Sequence, residues 1–135
     1  MARLLSIALP SLLLTASASV VAAQTASTSG RYTLDQATRG EAVYKRECGE
    51  CHSVKDHSNE DFRFSWNGRS ALELFESIRN TMPEENPGSL TRQQYADIVA
   101  YLMKANGMPS GPRPLAPDSA ALRAARLEVK EARQR

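Results

Sequence analysis

The sequence predicts an all-α domain, and three observations predict it. Three capping signals of the Ser/Thr-x-x-Glu/Gln type each open an apolar stripe at helical spacing. No segment alternates apolar and polar residues as a strand would. Glycine and proline, seven of each, collect in clusters that punctuate the chain. A length of 135 residues gives one small domain with flanking segments. A composition 24% charged, 41% hydrophobic and 6% aromatic excludes collagenous, coiled-coil and multi-span membrane classes. The net charge of +2 argues against a nucleic-acid partner, which calls for a strongly basic face.

The first segment predicts export. Arg3 precedes an apolar run from Leu4 to Leu14, and small residues end in Val21-Ala22-Ala23. This is the order of a secretory signal, with cleavage expected after Ala23 and Ala18 as the competing position. The run is far shorter than the ~20 residues of a membrane span. No cysteine stands at the cut to take a lipid, so no stable membrane insertion is expected afterwards. Removing residues 1–23 takes one base, Arg3, and leaves 16 bases against 15 acids. A flexible Ser/Thr/Ala-rich leader is expected over 24–32.

Thr33 and Gln36 predict a first helix reaching about Glu47, with Leu34, Ala37, Ala42, Val43 and Tyr44 as its apolar positions. Ser70 and Glu73 predict a second, striped by Leu72, Leu74, Phe75 and Ile78 and stopped near Asn80 by Pro83. Thr91 and Gln94 predict a third, striped by Tyr95, Ile98, Val99, Tyr101 and Leu102, with Gly107 as its terminator. A Pro/Gly-rich connector over 109–117 is expected to be stiff and extended. Asp118 caps a fourth helix, expected on the surface over 118–135 and, with five bases and three acids, suited to steering a partner.

The chemistry concentrates in Cys48-Gly49-Glu50-Cys51-His52, which holds both cysteines and one of the two histidines. C-x-x-C-H is the pattern of covalent haem attachment. Two thiols add to the two vinyl groups and the adjacent imidazole reaches the iron. Other chemistries fit less well. A redox dithiol belongs to a βαβ setting that is missing here. Zinc needs a fourth ligand, which His57 could supply, but the finger spacing is wrong. A structural disulfide across two residues is strained. Export and covalent haem attachment also belong together.

Six-coordinate iron needs a ligand opposite His52. The candidates are Met82, Met103, Met108 and His57. Met82 stands in Thr81-Met82-Pro83, a loop able to come round to the open face. Met103 lies inside a predicted helix as core filler. Met108 follows the end of that helix. His57, five residues from His52, would struggle to reach the opposite face and reads as a solvated loop histidine.

The stretch 33–108 resembles a class I c-type cytochrome. Gly40, Tyr44, Cys48, Cys51 and His52 resemble its first helix and haem motif, and Asp97-Ile98-Val99-Ala100-Tyr101-Leu102 resembles its last core helix. Thr81-Met82-Pro83 is similar to the ligand loop of many bacterial members. The resemblance implies a small cytochrome c fold in which N- and C-terminal core helices cross around one covalent haem, with Gly40 at the contact. It implies haem c with iron held by His52 and Met82. It also implies that Trp66, the only indole, bonds a haem propionate or simply packs, and Arg69 could neutralise the same carboxylate. The Gly-Pro that often follows the motif has no counterpart over Val54–Phe64, so the carbonyl that receives the His52 N–H is left unassigned.

His/Met ligation fills the iron and suits single-electron transfer. The expected function is therefore that of a periplasmic electron carrier and not an enzyme, free or paired with a dehydrogenase or terminal oxidase. A peroxidase-like haem enzyme and a gas sensor with a labile Met82 are the alternatives. A second haem motif or a distal His/Arg pair would favour them, and neither is found.

Overall fold

A computed structural model describes residues 31–129. The expected signal segment, leader residues 24–30 and the end of the expected tail, 130–135, lie outside the described residues. In chain order the elements are α1 (Leu34–Glu47), a 3-10 turn (Val54–His57), α2 (Glu60–Trp66), α3 (Ala71–Thr81), α4 (Arg92–Ala105) and α5 (Ser119–Ala124). Among the described residues the only extended pairing is an isolated bridge between Ser70 and Arg126. The fold is all-α, as the capping pattern predicts.

The caps explain where the main helices begin. Ser70 and Thr91 accept hydrogen bonds from the N3 amides of α3 and α4, and the Glu73 and Gln94 side chains return the bond to the cap amides. Both boxes close. At α1 only half the predicted box forms. Thr33 accepts from the Gln36 amide, but the Gln36 side chain turns inward instead. It donates to Asp97 at 3.0 Å and to the Leu115 carbonyl at 2.9 Å, and accepts from the Leu115 amide at 2.7 Å. A buried amide with three partners outweighs a solvent-facing cap.

Helices α1 and α4 cross in contact, and Gly40 sets their separation. A Cβ at Gly40 would overlap the Asp97 carbonyl and lie 3.0 Å from the Ile98 nitrogen. Helix α4 is the core of the molecule, with every residue from Tyr95 to Met103 buried. Its one buried charge, Asp97, receives Gln36, Gln93 at 2.7 Å and Arg39 at 3.2 Å. A buried carboxylate needs such donors to offset its lost hydration. At the end of α4, Gly107 takes φ +73° and the Met108 amide reaches the Met103 carbonyl at 3.0 Å. This is the left-handed terminator expected of glycine.

Three expectations are corrected. Tyr32 belongs to the core and not to a flexible leader: it is buried, its hydroxyl donates to the Met108 carbonyl at 2.7 Å, and its carbonyl accepts from Gly111. The terminal helix stops at Ala124 and does not run on along the surface. Its successor residues are extended, because their amides and carbonyls pair with the α2–α3 loop. Leu127 donates to Arg69 at 2.9 Å and accepts from Gly68 at 2.8 Å, while Ala71 donates to Ala125 at 2.8 Å. Leu122, Ala125 and Leu127 are buried against the core, each leucine contributing about 2 kcal/mol. Third, residues 54–66 hold two short helical elements where none was assigned.

Candidate functional site

The Cys48–His52 turn grows out of the end of α1. Cys48 is the C-cap, and its amide reaches the Tyr44 carbonyl at 2.8 Å. Its own carbonyl then collects the amides of Cys51 at 3.2 Å and His52 at 2.8 Å. The turn runs so close to the helix that a Cβ on Gly49 would lie 2.6 Å from the Lys45 carbonyl. Glycine is the residue that fits between the two thiols.

The two cysteines are not joined to each other. Cys51 is exposed and Cys48 is half-buried. Burial pushes the Cys48 thiol up, and the Glu47 carboxylate adds to the effect, so it is held in its protonated form. Two cysteine sulfurs and a half-buried imidazole in one tight turn are the donor set that thioether attachment and proximal ligation require. Val54, Trp66, Leu72, Ile78 and Leu90 pack on the core while remaining partly exposed. Their exposed apolar surface is of the kind a porphyrin would cover, and the donor set of the turn fits a haem.

Met82 is the C-cap of α3 and its backbone is held from both sides. Its amide donates to Ile78 at 2.7 Å, and its carbonyl accepts the Tyr95 hydroxyl of α4 at 2.8 Å. The peptide bond to Pro83 is cis. Sequence patterning missed the Tyr95 contact, because Tyr95 reads as one more apolar position of a helical stripe.

The other candidates for the distal position are engaged elsewhere. Met103 and Met108 are 2% and 6% exposed within the core. His57 is not a solvated loop residue. Its Nδ1 lies 3.0 Å from the Tyr44 hydroxyl, and its ring stands edge-on to that of His52 at 5.1 Å. Burial, the largest cause, and neighbouring His52 hold His57 below the usual imidazole range, while burial pushes Tyr44 up to about 12. The pair is therefore neutral over the physiological range.

Trp66 and Arg69 are brought together. The Arg69 guanidinium lies 4.4 Å above the indole and donates to Glu73 at 3.0 Å. Trp66 ends α2, whose Phe62 ring lies 6.1 Å away. Asn59 as N-cap, the acids Glu60 and Asp61 in the first turn, and Phe62 four residues before Trp66 are signals that could have revealed this helix.

A family model described as cytochrome C oxidase, cbb3-type, subunit III matches residues 35–102, just over half of the chain. The chain belongs to this family. It is a monohaem c-type cytochrome domain, and the match spans α1, the haem turn, the Met82 loop and nearly all of α4. Membership carries with it haem c with iron and haem-based electron transfer. No curated protein and no solved structure matches the chain. Among the described residues of the cytochrome, no helix is long and apolar enough to cross a membrane.

Proposed function

We propose that this cytochrome is a periplasmic single-electron carrier. It holds one haem c through thioethers at Cys48 and Cys51, with the iron between His52 and Met82. The observation that carries the reading is the disposition of the remaining soft and imidazole donors. Met103 and Met108 fill the core and His57 is tied to Tyr44, which leaves Met82, half-buried on a loop with its backbone fixed.

The bound haem supplies a one-electron couple. The side chains around it do the rest. Cys48 and Cys51 hold one edge, so a chain with a thin core retains the group without large additional contact. His52 and Met82 would hold the iron and leave no position for substrate, and a thioether ligand would favour the reduced state. The Trp66 indole N–H and the Arg69 guanidinium, stacked 4.4 Å from the indole centroid, would meet a propionate. Cys51 is exposed, so the haem edge it would hold would face solvent and a partner. The partners are redox proteins, a periplasmic dehydrogenase or a terminal oxidase, in keeping with the family's description as an oxidase subunit.

The test is intact mass after expression with a haem-attachment system. The expected product is residues 24–135 plus one haem that acid acetone does not extract. Free thiols at Cys48 and Cys51 in the purified protein would refute the attachment, and an uncut leader would refute the export reading.

A further inference from the structure

His57 lies outside the haem motif, yet contacts from three parts of the chain hold it. Its ring Nδ1 is 3.0 Å from the Tyr44 hydroxyl on α1. The Phe62 ring of α2 meets it edge-on at 5.9 Å. Its carbonyl accepts the Asn106 amide at 2.8 Å. Asn106 is 3% exposed and also donates to Leu102, so the attachment reaches the end of α4. Helices α1 and α2 thus contact the ring and the cap of α4 holds its backbone, and the ring stands 5.1 Å from the His52 ring at an interplanar angle of 77°.

A ligating imidazole rotates about its bond to the metal unless neighbours hold it, and those neighbours tune the metal. The usual Gly-Pro segment that would offer a carbonyl for this purpose is missing after the motif. We propose that His57 is the positioning residue for the proximal ligand: held by Tyr44 and Asn106, its ring edge sets the orientation of the His52 imidazole. The assignment rests on His52 as the iron ligand.

The experiment uses the haem-loaded protein and three variants, Tyr44→Phe, His57→Ala and the double variant. Low-temperature electron paramagnetic resonance of the oxidised form reports imidazole orientation through its g-values, and the midpoint potential reports ligand basicity. Tyr44→Phe keeps the ring that packs 5.4 Å from Tyr101 and removes only the hydroxyl, so it is expected to fold. It should shift both readouts while covalent haem and a low-spin spectrum persist. His57→Ala should shift them further in the same direction, and the double variant should match His57→Ala, since the two residues act through one contact. If Tyr44→Phe lowers only the melting temperature and leaves g-values and potential at wild-type values, the pair is structural and the proposal fails. His52→Ala separates the premise: retention of the wild-type low-spin spectrum there would overturn the ligand assignment itself.

Discussion

Gly40 of α1 lies against the Asp97 carbonyl of α4 with no room for a side chain between them. That contact sets how closely the first and last core helices cross, and hence where the haem turn leaves α1 relative to α4. Helix propensity and packing oppose each other at this position. Alanine in a helix interior is favoured over glycine by about 1 kcal/mol. Here the obstacle is backbone, which cannot swing aside as a long side chain can. Gly40→Ala is therefore expected to lose about 3 kcal/mol of stability in urea denaturation. A gain would mean that the helices do not cross as closely as described.

The C-terminal segment is part of the folded unit. Leu127 is 1% exposed and its backbone pairs on both sides with the Gly68–Arg69 loop. Leu127→Ala should cost about 3 kcal/mol. The covalent haem should remain, because its attachment lies in another part of the chain. Denaturation followed at the haem band measures the first, and intact mass the second. Unchanged stability would restore the view of a dispensable surface tail.

The α3 cap makes stability depend on acid pH. The Glu73 carboxylate accepts from the Ser70 amide and hydroxyl and from Arg69, which lowers it from about 4.5 to about 2. A depressed carboxylate stabilises the fold above its unfolded value and loses that contribution as pH falls through the folded one. Stability should therefore decline between about pH 4.5 and about pH 2. Glu73→Gln keeps an acceptor for the cap but does not titrate, so its stability curve should be flatter over this interval. Parallel curves would assign the acid sensitivity to other carboxylates.

Met82→Ala should give a high-spin or water-bound iron with a lowered potential that takes up carbon monoxide. Met103→Leu and Met108→Leu should leave the spectrum and potential near wild type, since both side chains are core filling. Absorption spectra with and without carbon monoxide distinguish the outcomes. An unchanged Met82→Ala spectrum would remove Met82 from the iron.

What could be read from the chain follows the range of the interactions involved. The starts of α1, α3 and α4 are local, three-residue events, and Thr33, Ser70 and Thr91 announce them. The Cys48–His52 turn is legible because five consecutive residues carry it. The fates of Gln36, Tyr32 and Leu127 are not local. Gln36 reads as a cap partner because its distant partner Leu115 lies 79 residues on. Leu127 reads as one position of an Ala/Leu/Arg helix, but its backbone pairs with the Gly68 amide and the Arg69 carbonyl of the α2–α3 loop. His57 reads as a solvated loop histidine for the same reason: its partners Tyr44 and Asn106 come from both ends of the domain. The turn at 54–57 did carry a local signal, a capping box between Ser53 and Asp56, but four residues offer no apolar stripe to support it.

The central claim is that the iron, filled on both faces by His52 and Met82, exchanges single electrons and binds no substrate. A spectroelectrochemical titration of the wild-type holoprotein, run once under nitrogen and once under carbon monoxide, tests it most directly. The account predicts one reversible one-electron transition with the same midpoint under both gases. A midpoint raised by carbon monoxide, with the spectrum of a carbonyl adduct, would show an open or labile sixth position and contradict the carrier reading.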